Sequence, residues 1–354
     1  MKALIIGLGG IGQRHARNLR SILQDRVQLL AHRFRGFTRV ISPKLQADPS
    51  KNLEEEYGIR PFFDLNAALA EGPDIAFVCN PSSMHVPTAL SCINAGCDVF
   101  IEKPLSDSIE GVDSLTGATD QKHRIAMVGY QLRFHPCIRK LASVIESGCL
   151  GHILSVQATI GEYLPNWHPY EDYRESYAAR ADLGGGVVLS QIHEFDYLYS
   201  LFGLPSKVYA IGGHWSHLEI DVEDTASILM EGSIENRPLP IHLHQDYLQV
   251  PPNRTCVVIG DRGRAILDFP SLTVTVYDSR CASPTVHRFP DFERNQLFVE
   301  EIVHFLTCVE RRTRPIVDLH DGLQSLRMAL AAKQSMRSGR AVELRGRGAE
   351  IANV

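Results

Sequence analysis

The sequence predicts an α/β protein: an N-terminal Rossmann domain with a doubly wound parallel sheet, then a C-terminal α+β domain with a large, open, mostly antiparallel sheet. Three observations predict it. A glycine-rich run, Gly7-Leu8-Gly9-Gly10-Ile11-Gly12, falls between a wholly apolar strand and a helical repeat. Strand-like and helix-like segments then alternate, which is the pattern of a parallel sheet. Farther along, strand-like runs dominate residues 205–288. At roughly 150 residues per domain, a chain of 354 residues makes two domains. The expected limits are 1–125 for the dinucleotide-binding domain and 126–354 for the substrate-binding and oligomerisation domain.

Taking the elements in order, Ala3-Leu4-Ile5-Ile6 is the first strand, apolar on both faces as a buried parallel strand must be. The G-x-G-x-x-G that follows lies between this strand and a helix carrying Ile11, Ala16, Leu19 and Leu23. Gly7 permits the tight turn, Gly9 lets the main chain approach a pyrophosphate, and Gly12 lets the helix pack close to the strand. Gly10 and Ile11 open the helix, whose N-terminus faces the anion. The second strand, Val27 to Ala31, runs into His32-Arg33-Phe34-Arg35. An NAD-preferring domain usually places an acid there for the ribose 2′-hydroxyl. Two arginines instead suit a 2′-phosphate, so NADP(H) is favoured over NAD(H). Strands at 74–79 and 98–101 end in Asn80-Pro81 and Glu102-Lys103-Pro104, with a helix from Val86 to Ala95 between them. Ligands of such sheets sit at these strand ends, so Asn80, Pro81, His85, Glu102 and Lys103 are cofactor candidates. A cation at Lys103 suits polarising a substrate oxygen or holding a ribose hydroxyl.

In the second domain, residues 151–160 alternate like a strand. The segment from Glu162 to Tyr177 then gathers four tyrosines and Trp167 with acids, His168 and Arg174. Aromatic faces stack on sugar rings and polar groups take their hydroxyls, so Tyr163, Trp167, His168, Tyr173 and Arg174 are substrate candidates. Arg133, His168 and Arg174 suit a carboxylate or phosphate. The alternative for this segment is a subunit contact. One helix is expected from Val187 to Phe202, placing Ser190, His193 and Tyr197 on a common face. Two amphipathic helices, 295–310 and 321–338, close the chain, and the stretch from Arg345 to Val354 is expected to fray.

Composition excludes several function classes. Hydrophobic residues are 44% and charged residues 22%, ordinary globular values. The net charge of −5 gives no basic excess for nucleic acid or a membrane surface. Eight cysteines without a CxxC pair point to a reducing compartment, and Cys79 and Cys256 sit in apolar runs. The apolar start is too short for a signal peptide and no run reaches the roughly 20 residues of a membrane span. A cytoplasmic protein is expected. His193-Glu194-Phe195-Asp196 is not the H-E-x-x-H zinc pattern, and the histidine pairs 214/217 and 242/244 lack completing ligands, so no metal is expected.

The ordered set resembles the glucose–fructose oxidoreductase / inositol dehydrogenase (Gfo/Idh/MocA) family over about 300 residues. The matching residues are the Gly7–Gly12 loop, Asn80-Pro81 with His85, Glu102-Lys103-Pro104, the run Gly129 to Phe134, and Gly184-Gly185-Gly186 followed by His193. The resemblance implies an NAD(P)-dependent dehydrogenase acting on sugars or cyclitols, and an open C-terminal sheet that forms oligomer contacts, as a dimer or tetramer. It implies Lys103 at the active site and His193 as acid/base. Many members carry Asp where this chain has Ser190, so Ser190 or Gln191 is expected to replace it as a partner of His193. The H-E-x-D run is similar to a subgroup associated with surface-polysaccharide or acidic-sugar synthesis.

The expected reaction is reversible oxidation of a secondary alcohol on a sugar, nucleotide sugar, sugar acid or cyclitol. Three other readings stay open on sequence. One is a glycosidase or dehydratase that uses the nicotinamide transiently. Another is a non-catalytic nucleotide-sensing protein, and the third is an imine or enamine reductase.

Overall fold

A computed structural model describes residues 1–33, 39–42 and 45–344 of the protein. Arg35 and the tail from residue 345 lie outside the described residues. The first sheet contains six parallel strands: β1 (Lys2–Ile6), β2 (Gln28–His32), β5 (Ile59–Phe62), β6 (Ile75–Val78), β7 (Asp98–Glu102) and β8 (Ala126–Gly129). A separate hairpin, β3 (Arg39–Ile41) with β4 (Ala47–Asn52), follows β2. The sheet order is β5-β2-β1-β6-β7-β8. The order reverses between β1 and β6, so a crevice opens beyond their carboxyl ends. Helices α1 (Gly10–Leu23), α2 (Leu53–Tyr57), α3 (Leu65–Ala70), α4 (His85–Asn94) and α5 (Val112–Gln121) cross over between strands.

Two strands of this sheet escaped the sequence pattern. β5 carries Pro61 and is only partly buried, as befits an edge strand. β8 pairs with β7 from Val99↔Ala126 to Glu102↔Gly129, so the sheet runs four residues past the expected limit at 125.

Helix α6 (Pro136–Glu146) leads into the second sheet. Its strands are β9 (Ile153–Gly161), β10 (Lys207–Gly213), β11 (Thr225–Ile234), β12 (Arg237–Asp246), β13 (Asn253–Gly260), β14 (Gly263–Asp268), β15 (Thr273–Asp278), β16 (Thr285–Arg288) and β17 (Val342–Glu343). All neighbours pair antiparallel except β12 with β9. Helices α7 (Val187–Ser190), α8 (His193–Phe202), α9 (Arg294–Arg311) and α10 (Leu319–Ser338) complete the chain. Alternate side chains of the sheet are buried, Val156, Ala158, Ile228, Leu243, Val258 and Leu267 among them. The opposite face stays open, with Tyr209, Ile211, Leu229 and Tyr277 exposed. Among the described residues no helix is long and apolar enough to cross a membrane.

The expected single helix from Val187 to Phe202 is interrupted at Gln191-Ile192. Tertiary hydrogen bonds take the carbonyls that a continuous helix would use. Lys103 Nζ donates to the Ser190 carbonyl at 2.8 Å and Gln245 Nε2 to the Gln191 carbonyl at 2.8 Å. Ser190 and His193 therefore do not share the common helical face that their spacing suggested.

Candidate active site

Three glycines shape the loop after β1, each for its own reason. Gly7 has φ +95°, and a Cβ there would lie 2.7 Å from the Cys79 carbonyl. A Cβ on Gly12 would lie 1.9 Å from the Gly7 carbonyl, so no other residue lets α1 approach so closely. At Gly9 nothing lies within 4 Å of that position. The N-terminus of α1, with Gly10 and Ile11 in its first turn, is thus open beside Gly9, where the helix dipole suits a diphosphate. Gln13, which the sequence reading passed over, braces the loop. Its amide donates to the carbonyls of Leu8 and Arg39 and accepts from the Ile41 amide.

The strand ends next to this loop are tied to it. Glu102 meets His15 Nε2 at 2.6 Å inside a ring of Phe77, Phe100 and Phe298. That bond fastens α1 to the residue preceding Lys103. His85 is 1% exposed, with Nδ1 2.7 Å from the Pro104 carbonyl and Nε2 2.8 Å from the Asn80 carbonyl. It joins the two strand-end loops and turns neither nitrogen to the crevice. Pro81 follows Asn80 and caps a short 3-10 turn. Asn80 donates to Thr88 Oγ1 at 2.9 Å, while its buried Oδ1 has no partner.

The glycine triplet seals the seam between the domains. Gly184, at φ +78°, packs where a Cβ would lie 2.8 Å from Asp107 and 3.0 Å from Ser82. Beside it Ser83 Oγ donates to the Asp182 carbonyl at 3.1 Å. The chain then breaks at Gln191 and restarts at His193. The bond from Lys103 to Ser190 crosses this seam. His193 is 7% exposed, and its Nδ1 is buried without a hydrogen-bond partner. Burial, then the charges of Lys103, Arg254 and Arg294, push its pKa well below the ordinary histidine range. The imidazole is therefore neutral at pH 7.

The expected orienting partner of His193 takes another form. The Gln191 amide donates to the Asp246 carbonyl at 3.0 Å rather than to the ring, and Ser190 contributes its carbonyl to Lys103. The Tyr130 ring packs edge-on to the imidazole, with centroids 5.8 Å apart. Just after His193, two buried acids each take a guanidinium in a two-point grip. Glu194 meets Arg254 at 2.6 and 3.0 Å, and Asp196 meets Arg133 at 2.6 and 2.9 Å. Arg133 also donates to Ser200. It anchors α8 rather than reaching for a substrate, and its like-placed counterpart Arg254 has no signal in the local sequence.

The aromatic segment divides. Trp167 packs edge-on to Tyr247 at 5.2 Å with its buried Nε1 unpartnered, and Tyr163 packs on the core. His168 meets Glu171 at 2.9 Å. Tyr173 accepts from the Glu219 amide. Arg174 is on the surface, paired with Asp172 and Glu219, so the structure does not bring it to His193. Arg33, 6% exposed, ion-pairs with Glu54 at the end of β2. Asp318, His320 and Asp321 cluster at the start of α10, where Arg314 already pairs with both acids.

Residues 1–130 match the model of an oxidoreductase family with an NAD-binding Rossmann fold, and 138–266 match the GFO/IDH/MocA C-terminal domain. The chain belongs to the Gfo/Idh/MocA family. This Gfo/Idh/MocA chain is 28% identical over 360 residues to a myo-inositol 2-dehydrogenase of Thermotoga maritima, covering 97% of this chain and 98% of that one. Its fold is that of a levoglucosan dehydrogenase solved with NADH and levoglucosan, with a TM-score of 0.81, 16% identity, and coverage of 98% and 100%. It also matches the WlbA dehydrogenase of Bordetella pertussis, solved with NADH and UDP-GlcNAcA, with a TM-score of 0.77, 22% identity, and coverage of 98% and 99%. As a member of this family the chain is an oxidoreductase with a nicotinamide cofactor, and the open glycine cradle fits that group.

Proposed function

We propose that this chain transfers a hydride between its nicotinamide cofactor and a secondary alcohol of a polyhydroxylated ring: a sugar, nucleotide sugar, sugar acid or cyclitol. The bond from Lys103 Nζ to the Ser190 carbonyl carries the reading. It ties a cation at the end of β7 to the residue three before His193, and the Lys103 charge is felt at the imidazole, which supports a joint role for the two. The nicotinamide, when bound, supplies the hydride acceptor. His193 accepts the hydroxyl proton on its imidazole. The Lys103 ammonium stabilises the negative charge that develops on the substrate oxygen. The names of the relatives, which include inositol and levoglucosan dehydrogenases, support a ring polyol. A screen of sugars, nucleotide sugars, cyclitols and sugar acids with NAD and NADP tests the reading. Turnover on such a ring is the expected result, and turnover on none of them overturns it.

The preference for NADP(H) belongs to the same proposal. No carboxylate ends β2, and Arg33 stands there. Its pairing with Glu54 means that a 2′-phosphate competes with that carboxylate. Arg33→Ala is expected to raise KM for NADP and leave KM for NAD within about twofold, and a clear NAD preference of the unaltered protein rejects the assignment. The open face of the second sheet, with Tyr209, Ile211, Leu229 and Tyr277 exposed, supports self-association there. Light scattering on a sizing column is expected to give a dimer or tetramer.

A further inference from the structure

Tyr170 lies in the aromatic segment of the second domain, yet its hydroxyl reaches the glycine loop of the first. The oxygen sits 2.6 Å from where a Cβ on Gly10 would stand, with its ring carbon at 3.5 Å and Ile41 Cδ1 at 3.9 Å from that point. Gly10 and Arg14 are i and i+4 on α1 and so share one side of the helix. The Arg14 guanidinium lies over the Phe298 ring, 4.4 Å from its centroid. Among the described residues, Arg14 has neither a hydrogen bond nor an ion pair with a carboxylate, and the Tyr170 hydroxyl has no hydrogen bond. The neighbouring acid Glu102 is already taken by His15. Two donors, one from each domain, thus converge without an acceptor on the first turns of α1.

We propose that Arg14 and Tyr170 form a phosphate-binding pair at the domain seam, which grips a diphosphate lying at the N-terminus of α1. The charges near the pair support this. Burial and the like charges of Arg294 and Arg17 hold the Arg14 pKa down to about 10, a penalty that a bound anion relieves. Burial raises the Tyr170 pKa, so the group remains a phenol and donates. A diphosphate occurs in the dinucleotide cofactor and in a nucleotide sugar, and the pair fits either. The inference rests on the dehydrogenase reading for the nature of the ligand, but its test does not need turnover.

The test compares Arg14→Gln and Tyr170→Phe with the unaltered protein. NADH binding is followed by fluorescence, with reduced nicotinamide mononucleotide, which lacks the diphosphate, as the control. UDP and inorganic pyrophosphate are titrated separately by calorimetry. Each variant is expected to weaken NADH or UDP by about tenfold, the scale of a lost charge-assisted hydrogen bond, and to leave the mononucleotide within twofold. Loss confined to NADH assigns the pair to the cofactor, and loss confined to UDP assigns it to the substrate. Affinities within twofold for NADH, UDP and pyrophosphate alike overturn the pair, as does tighter NADH binding by Tyr170→Phe. An unaltered protein that binds pyrophosphate but neither NADH nor NADPH rejects the dehydrogenase reading and leaves the pair standing.

Discussion

At the scale of single residues, the proposed chemistry rests on Lys103 and His193, which come from different domains. Lys103→Ala and His193→Ala are each expected to lower kcat by about 100-fold or more. A fall of under threefold removes that residue from the mechanism. The pH dependence follows from the burial of His193. A base works only when unprotonated, and its folded pKa is depressed below the ordinary 6.5. The neutral form is therefore fully populated at pH 7 and is lost only as the pH falls through the depressed value. The acid limb of kcat/KM for alcohol oxidation is expected below pH 6.5. A limb at or above that value would mean that water reaches the imidazole. The positions of Lys103 and His193 were legible in the sequence as parts of the family's motifs. What surrounds His193 was not, because Arg254 and Gln245 come from strands more than 50 residues away.

At the scale of elements, the glycine loop separates folding from binding. Gly9→Ala adds a methyl where the chain has open space, so the melting temperature is expected to hold while NAD(P)H affinity falls at least tenfold. Gly12→Ala drives a methyl into the Gly7 carbonyl, and both quantities are expected to fall. Equal melting temperatures for the two variants would mean that α1 is not seated as described. Helix α8 is held by two buried ion pairs. Truncating Asp196 to Ala leaves Arg133 without its carboxylate, at an expected cost of about 3–5 kcal/mol in denaturant unfolding. The glycine loop was legible because its contacts are local backbone contacts. The break at Gln191 was not, since residues 187–202 have good helical periodicity and only Lys103 and Gln245 compete for the carbonyls.

At the scale of the whole molecule, α9 lies between the two domains. Phe298 touches His15, and Phe305 packs on Phe77 and Phe100. Glu301, on the same helix, is wholly buried with neither oxygen hydrogen-bonded. Burial, then the nearby Glu102 and Asp196, raises its pKa well above 4.5, so the folded protein holds a proton that the unfolded chain releases. Stability from this group is full below the unfolded pKa and declines as the pH rises toward the folded one. Glu301→Gln is expected to stabilise the protein at pH 8 more than at pH 4. An equal change at both pH values would mean that the carboxyl is not held protonated.

The sequence by itself determined the cofactor-binding sheet, the glycine cradle, the open second sheet and the places of Lys103 and His193. Those features rest on periodicity and on backbone conformations that only certain residues adopt. The tertiary structure alone decided which charges are free. Arg133 and Arg174 have the composition of substrate ligands, but acids that face them in the fold, Asp196 and Glu219, take them first. Arg14 and Tyr170, 156 positions apart, meet at one helix turn without such an acid. An ion pair between distant segments leaves no local pattern in sequence, and neither does its absence.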